Sequence, residues 1–356
     1  MEVKQKVYNP TFAIMKGIAI ISVVVGHCTL SKEVEAYVNQ YHLAAFFFVA
    51  GYFLTEKYVF NPILLIKKRI KSLYIPFVVS CLACVLLHNL LCEIYVYSTP
   101  LNSQEMLIGG GNVVFRLFSS EPLMGAMWFC PTLLFASVIA GLTLWAGTKF
   151  PNSRMGMTLL FMLLVISLAE IAMKVFHVKS PYSIWQNMVI SGILFEGWLF
   201  RNYIEKYFLQ TRNSLLCSVG IIIAFVIYAF QSHGCLFNLQ SAHLKEVPAF
   251  YLLVMTFFAS LMVYALAALL KTTILGKVIA VVGDHSFSIM MLHFLAFKLV
   301  SLLICIVKDV PLTEISSFPT IPYENIGWLF AYTFVGCALP IAAVMLKDKL
   351  LNLCVR

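Results

Sequence analysis

Ten stretches of this chain are continuously apolar over lengths that suit a lipid bilayer, at about 11–30, 40–55, 73–95, 126–147, 156–176, 183–200, 214–231, 248–270, 285–307 and 324–346. The hydrocarbon core of a membrane is about 30 Å thick, and a helix needs about 20 residues to cross it. The second and sixth stretches are short for a span. The expectation is therefore an all-α integral membrane protein of about ten transmembrane helices, forming a single membrane domain over residues 1–356. Composition agrees: only 12% of the residues are charged, where soluble chains carry about a quarter. No soluble domain, low-complexity tract or internal repeat is appended.

Charge then gives the chain a direction. With the N-terminus in the cytoplasm, 17 of the 25 lysines and arginines fall on cytoplasmic connections, including Lys4, Lys6, Lys57, Lys67, Arg212 and Arg356. Six fall on the opposite side (Lys32, Arg116, Lys174, Lys179, Lys245 and Lys308), and Lys16 and Lys298 lie within spans. Basic residues accumulate on the cytoplasmic side, so both termini are expected there, in a multi-pass protein of the cytoplasmic membrane. The same rule accounts for the net charge of +9. Nucleic acid is not an expected partner, because no basic stripe is interleaved with aromatics. The first run has no Ala-x-Ala-type exit, so it is read as a retained span rather than a cleaved signal. The connection from Ile94 to Gly125, with Gly109, Gly110 and Gly111, is too polar for a span and is expected to fold over the outer face.

Most of the ten cysteines, among them Cys28, Cys81, Cys84, Cys130, Cys217, Cys305 and Cys337, sit in apolar runs, where a thiol behaves as a small hydrophobe. Cys81 and Cys84 form a CxxC, with His88 and Cys92 continuing the same helical face. No second ligand pair follows, so no metal is expected.

Polar groups inside a bilayer are costly and mark candidate sites. Lys16 and His27 are eleven residues apart in the first span, which is three turns and about 16 Å of rise, so both face one way. His42 opens the second span, and the short connection from Ser31 to Asn39 brings it back towards His27. Two histidines above a cation suit proton transfer beside an anion-binding passage. Each could equally cap a helix end or bond a neighbouring backbone group. The run Lys67-Lys68-Arg69-Ile70-Lys71 reads either as a topological anchor or as a clamp for phosphates. Glu170, Glu196, His293 and Lys298 are also embedded. Glu196 could pair with Arg201, and His293 is expected to be a hydrogen-bonded packing residue.

Several of these segments together carry a family resemblance. Met15-Lys16-Gly17 through Gly26-His27, Tyr41-His42 through Gly51-Tyr52, Leu73-Tyr74-Ile75-Pro76, Trp128-Phe129, and Gly283-Asp284-His285-Ser286 through Leu292-His293 resemble, in order, the signatures of the acyltransferase 3 family of membrane acyltransferases. The family commonly has Arg-x-x-Arg before its third signature. Here Arg69-Ile70-Lys71-Ser72 and Lys68-Arg69-Ile70-Lys71 both lack the second arginine. The resemblance implies transfer of an acyl group, most often acetyl, from cytoplasmic acyl-coenzyme A to a hydroxyl of an extracytoplasmic glycan or related cell-envelope acceptor. Under it, His27 is the general base, His42 orients the base or the acceptor, and Lys16, Lys68, Arg69 and Lys71 meet the polyanionic donor. Direct transfer and a covalent acyl-histidine both fit. A transporter or flippase of glycans or lipid-linked oligosaccharides, using the same passage without chemistry, is the competing reading.

Overall fold

The computed structural model describes residues 10–210, 214–231, 248–323 and 325–354. Lys4, Lys6, Arg212, Lys245 and Arg356 of the charge tally, and the side chain of Cys217, lie outside the described residues. Among the described residues there is no strand; the chain runs α1 (Pro10–Cys28), α2 (Lys32–Asn39), α3 (His42–Tyr52), α4 (Glu56–Val59), α5 (Pro62–Arg69), α6 (Ile75–Glu93), α7 (Ser103–Gly111), α8 (Phe129–Gly147), α9 (Arg154–Lys174), α10 (Ile184–Leu199), α11 (Glu205–Gln210), α12 (Ser214–Gln231), α13 (Ala249–Leu270), α14 (Ile274–Asp284), α15 (Ser286–Lys308) and α16 (Ile326–Cys354).

Seven helical stretches among the described residues are long and apolar enough to cross a membrane: Pro10–Cys28, Pro62–Glu93, Pro122–Gly147, Pro151–Lys174, Ala249–Leu270, Ser286–Lys308 and Ile326–Leu351. The three other expected spans are helices at the expected positions, α3, α10 and α12, of 11, 16 and 18 residues. The departure is clearest at α3. Eleven residues rise about 16 Å, half of the hydrocarbon thickness. Most of its residues, His42 among them, are buried in the protein. An apolar run has two causes, lipid contact and burial, and α3 belongs to the second.

Burial separates the centre from the periphery. The most apolar window of α1 is 67% buried, against 28% for Pro62–Glu93 and 22% for Ile326–Leu351. Leu86 and Phe334 on these outer helices are exposed apolar residues, as a lipid-facing belt requires. α1 packs against α14, α3, α13, α16 and α15, so its side chains line the middle of the bundle.

Small residues bring these helices together. A Cβ on Gly17 would fall on the backbone carbonyl of Ile279 in α14, and one on Gly197 in α10 would fall on that of Phe48 in α3. Helices in lipid gain little from apolar burial against each other, so close backbone approach and packing hold them. α14 itself, read from sequence as part of a cytoplasmic connection, is an ordered helix with Gly276, Ala280 and Gly283 buried.

Between α5 and α6 the helix passes through a π turn at Ile70–Tyr74, where the Ile75 N–H reaches back to the Ile70 carbonyl. Pro76 follows immediately and has no N–H to donate, so the ladder is re-registered where a bond would be missing. The basic run Lys67–Lys71 therefore sits across a break in helical phase.

The long connection after α6 is largely helical. α7 begins with a reciprocal capping box between Asn102 and Glu105, and the connection ends in a 3-10 turn at Pro122–Trp128. Its glycines lie near α6, Gly109 beside Val85 and Gly110 beside Leu82. It is pinned at its base: Asn89 bonds both ways to Leu101, and His88 Nδ1 donates to the Glu121 carboxylate at 2.9 Å.

Candidate active site

One cavity of about 280 Å3 is lined by Lys16, His27 and His42 together. The helical register expected for Lys16 and His27 holds, since both face the same space from α1. α1 can present them there because Gly17 and Gly283 let α14 approach on its other side. That approach also carries Asp284 to within 3.6 Å of the Lys16 ammonium. Opposed walls come from distant segments: Leu73 at the end of the π turn, Trp128 and Phe129 at the start of α8, and Ser286 at the start of α15. Each signature that carried the resemblance thus contributes to this one cavity.

The two histidines are held differently. His42 is buried, and its Nδ1 donates to the Val38 carbonyl of α2 at 2.5 Å. A neutral ring with Nδ1 protonated leaves Nε2 as an acceptor. Among the described residues nothing hydrogen-bonds to the His27 ring. Aromatic packing positions it, with His293 stacked at 5.4 Å between centroids and Phe294 at 4.9 Å. His293 is fully buried; its Nδ1 donates to the carbonyls of Ile289 and Met290, while its Nε2 has no partner among the described residues. His293 is thus the hydrogen-bonded packing residue expected from sequence, but what it packs against is His27. Only the Leu292-His293 end of the last signature pointed to it.

Lys298, one turn further along α15, is satisfied by backbone: its ammonium donates to the Ile315 and Ser317 carbonyls at 2.9 and 2.7 Å. It fixes the 3-10 turn Leu312–Ser316 over α15 and leaves Phe318 against Phe294 at 4.7 Å.

The basic run is not brought to the cavity wall. Lys68 lies over the Tyr58 ring at 4.5 Å, and its hydrogen bond holds the Tyr58 phenol below its ordinary pKa. Arg69 is half-buried, with Nε unpartnered among the described residues, and Lys71 is exposed. The re-registration at the π turn sends Leu73, not these cations, to the cavity. Glu196 does not pair with Arg201: Arg201 donates instead to the Tyr52 carbonyl at 3.1 Å, and Glu196 keeps a buried, unpartnered Oε2 among the described residues. Glu170 bonds Lys174 at 2.7 Å.

The CxxC face also resolves. Cys81, Cys84 and His88 are buried on one side of α6, but both ring nitrogens of His88 are engaged, Nδ1 by Glu121 and Nε2 by the Thr99 carbonyl at 3.0 Å. Cys84 meets the Tyr97 hydroxyl at 3.3 Å. Among the described residues no three His, Cys, Asp or Glu side chains are grouped to hold a metal ion.

Residues 9–345 match the acyltransferase 3 family, described as an acyltransferase domain. The chain belongs to the acyltransferase 3 family. Comparison with curated proteins and with solved structures gave no match. Membership covers nearly the whole chain, so every wall of the His27 cavity lies inside the acyltransferase 3 domain and none belongs to an added module. It makes the protein a membrane acyltransferase, with an acyl donor, an acceptor and a lipid environment.

Proposed function

We propose that this acyltransferase moves an acyl group, most often acetyl, from cytoplasmic acyl-coenzyme A to a hydroxyl of an extracytoplasmic glycan or related envelope acceptor. The observation that supports this reading is a single cavity lined by a cation and two histidines, Lys16, His27 and His42, on walls drawn from five separate stretches of the chain. Its volume suits the reacting ends of two substrates and leaves the bulk of each outside. We take both termini to be cytoplasmic, with α3, α10 and α12 completing ten membrane segments of one domain in the cytoplasmic membrane.

In this reading His27 is the general base. Its imidazole takes the proton from the acceptor hydroxyl as the oxygen attacks the thioester carbonyl. The carbon–sulfur bond breaks, and the imidazolium returns the proton to the departing thiolate, so ester and free thiol leave together. A positioned base of this kind contributes about 10²–10⁴-fold. His42, locked by Val38, orients the acceptor or His27 through Nε2. Lys16 meets the donor, with Asp284 setting the ammonium's position. Lys68, Arg69 and Lys71 act further out, where an anionic nucleotide enters, and not at the reacting atoms.

The test is incorporation of label from acetyl-coenzyme A in membranes containing the full chain. His27→Ala is expected to lose about 10²–10⁴-fold of the transfer rate at equal expression. Unchanged incorporation overturns the catalytic assignment. Loss of glycan export with acylation intact favours a transporter.

A further inference from the structure

Three residues separate α1 from α2, and α2 is fixed at both ends. Ser31 caps it by accepting from the Val34 N–H at 3.2 Å, and the Gln40 N–H closes it onto Tyr37 and Val38. Val38 is the buried residue of α2, and its carbonyl holds His42. The element that sets the His42 ring is thus the one that carries Glu35 and Asn39, four residues apart and on one face. Both line the His27 cavity. Glu33, their neighbour, is bonded to Ser31 at 2.7 Å. Glu35 and Asn39 have no side-chain hydrogen bond or ion pair among the described residues.

Polarity along the cavity is therefore divided. Lys16 lies three helical turns before His27 on α1, whereas Glu35 and Asn39 follow it in the chain and approach over the other end. Glu35 is the one carboxylate among the lining residues. A carboxylate accepts hydroxyl hydrogens and donates none, while an amide does both. Glu35 is exposed at the rim, so a second anion brought beside it is repelled most strongly at low ionic strength.

We propose that Glu35 and Asn39 form the acceptor subsite and select a neutral or cationic polyhydroxyl group, with Glu35 accepting from paired hydroxyls and Asn39 completing the bonds. This rests on the acyl-transfer reading above. It specifies an acceptor whose reacting residue carries no carboxylate or phosphate next to the acylated hydroxyl. Glu35 and Asn39 are specificity residues; they do not share in the proton transfer at His27.

The experiment uses the full chain in membranes with labelled acetyl-coenzyme A and three probe acceptors, the methyl glycosides of glucose, glucosamine and glucuronic acid. The wild type is expected to favour the first two over the uronate by at least about tenfold in kcat/KM. Glu35→Gln should shrink that preference to about twofold and raise the KM for the neutral acceptor, with the KM for acetyl-coenzyme A held within about twofold. Asn39→Asp, which adds a second carboxylate, should widen the preference and serves if Glu35→Gln fails to fold. A wild-type preference for the uronate, transfer to none of the three despite acylation of endogenous material, or a preference unmoved by both variants overturns the proposal. A wild type that transfers no acetyl group to anything instead overturns the acyl-transfer reading itself.

Discussion

His27 sits among rings, and that setting explains its availability. A histidine at this depth usually finds a backbone carbonyl, as His42 and His293 do at Val38 and at Ile289 and Met290. His27 instead stacks on His293 and Phe294, which leaves its nitrogens for a substrate. We propose that His293 acts through that contact as a positioning residue. His293→Phe keeps a ring in the stack and removes the orphaned Nε2. Phenylalanine is larger than histidine and the site is fully buried, so the variant is expected to lose about 1–3 kcal/mol of stability, read as a lower thermal midpoint, and transfer is compared per folded protein. Its kcat should fall by about tenfold, with both KM values unchanged, because the imidazole partner that sets the His27 ring is gone. Equal kcat in side-by-side transfer assays would reduce His293 to packing. Lys16 and His27 were legible from spacing alone, since eleven residues return a helix to the same face. Asp284 and His293 were not, because nothing local in the chain says that α14 and α15 approach α1.

Helix positions here depend on a few contacts that only small residues permit. α3 carries His42 and touches α10 at two glycines: a Cβ on Gly51 would meet the Leu194 carbonyl, and one on Gly197 the Phe48 carbonyl. Both obstacles are backbone and cannot turn aside. Gly197→Ala should therefore push α3 from α10 and lower stability by about 1–3 kcal/mol, read as a lower thermal midpoint in detergent, with transfer falling as His42 shifts. An unchanged midpoint would mean that the two helices are free to separate. The same scale accounts for the short α3. Hydropathy registers α3 and a lipid-facing helix alike, and only packing shows that α3 is sheathed by protein. It also accounts for the basic run: its sequence suits an anchor or a phosphate clamp, and past the π turn before Pro76 it is Leu73 that lines the cavity.

For the whole molecule, orientation decides the chemistry, because in the proposed reaction donor and acceptor reach His27 from opposite sides. With both termini in the cytoplasm, α2 lies on the outer face. Glu33 is exposed on it and does not line the cavity, so Glu33→Cys is expected to react with a membrane-impermeant thiol reagent in intact cells. The native cysteines supply the background measured in the wild type. Labelling that appears only after lysis would reverse the orientation and, with it, the assignment of donor and acceptor ends. The connection between α6 and α8 is tied into this arrangement by the His88–Glu121 pair, which anchors the 3-10 turn bearing Ala126 and Trp128 at the cavity wall.

Taken alone, the sequence determined the solvent this chain is built for, the helical class of its fold, the family it belongs to, and the shared face of Lys16 and His27. The family follows from its signature segments taken in order; the others are local properties, set by hydropathy and by the 3.6-residue turn. Only the tertiary structure decided that His293 backs His27, that Asp284 meets Lys16, that Glu35 and Asn39 reach the cavity, and that Lys68, Arg69 and Lys71 stand away from it. Those relations join residues up to about 270 positions apart. They follow from how closely glycine faces let helices approach, from the short connection between α1 and α2 and from the π turn before Pro76, and no single stretch of sequence encodes them together.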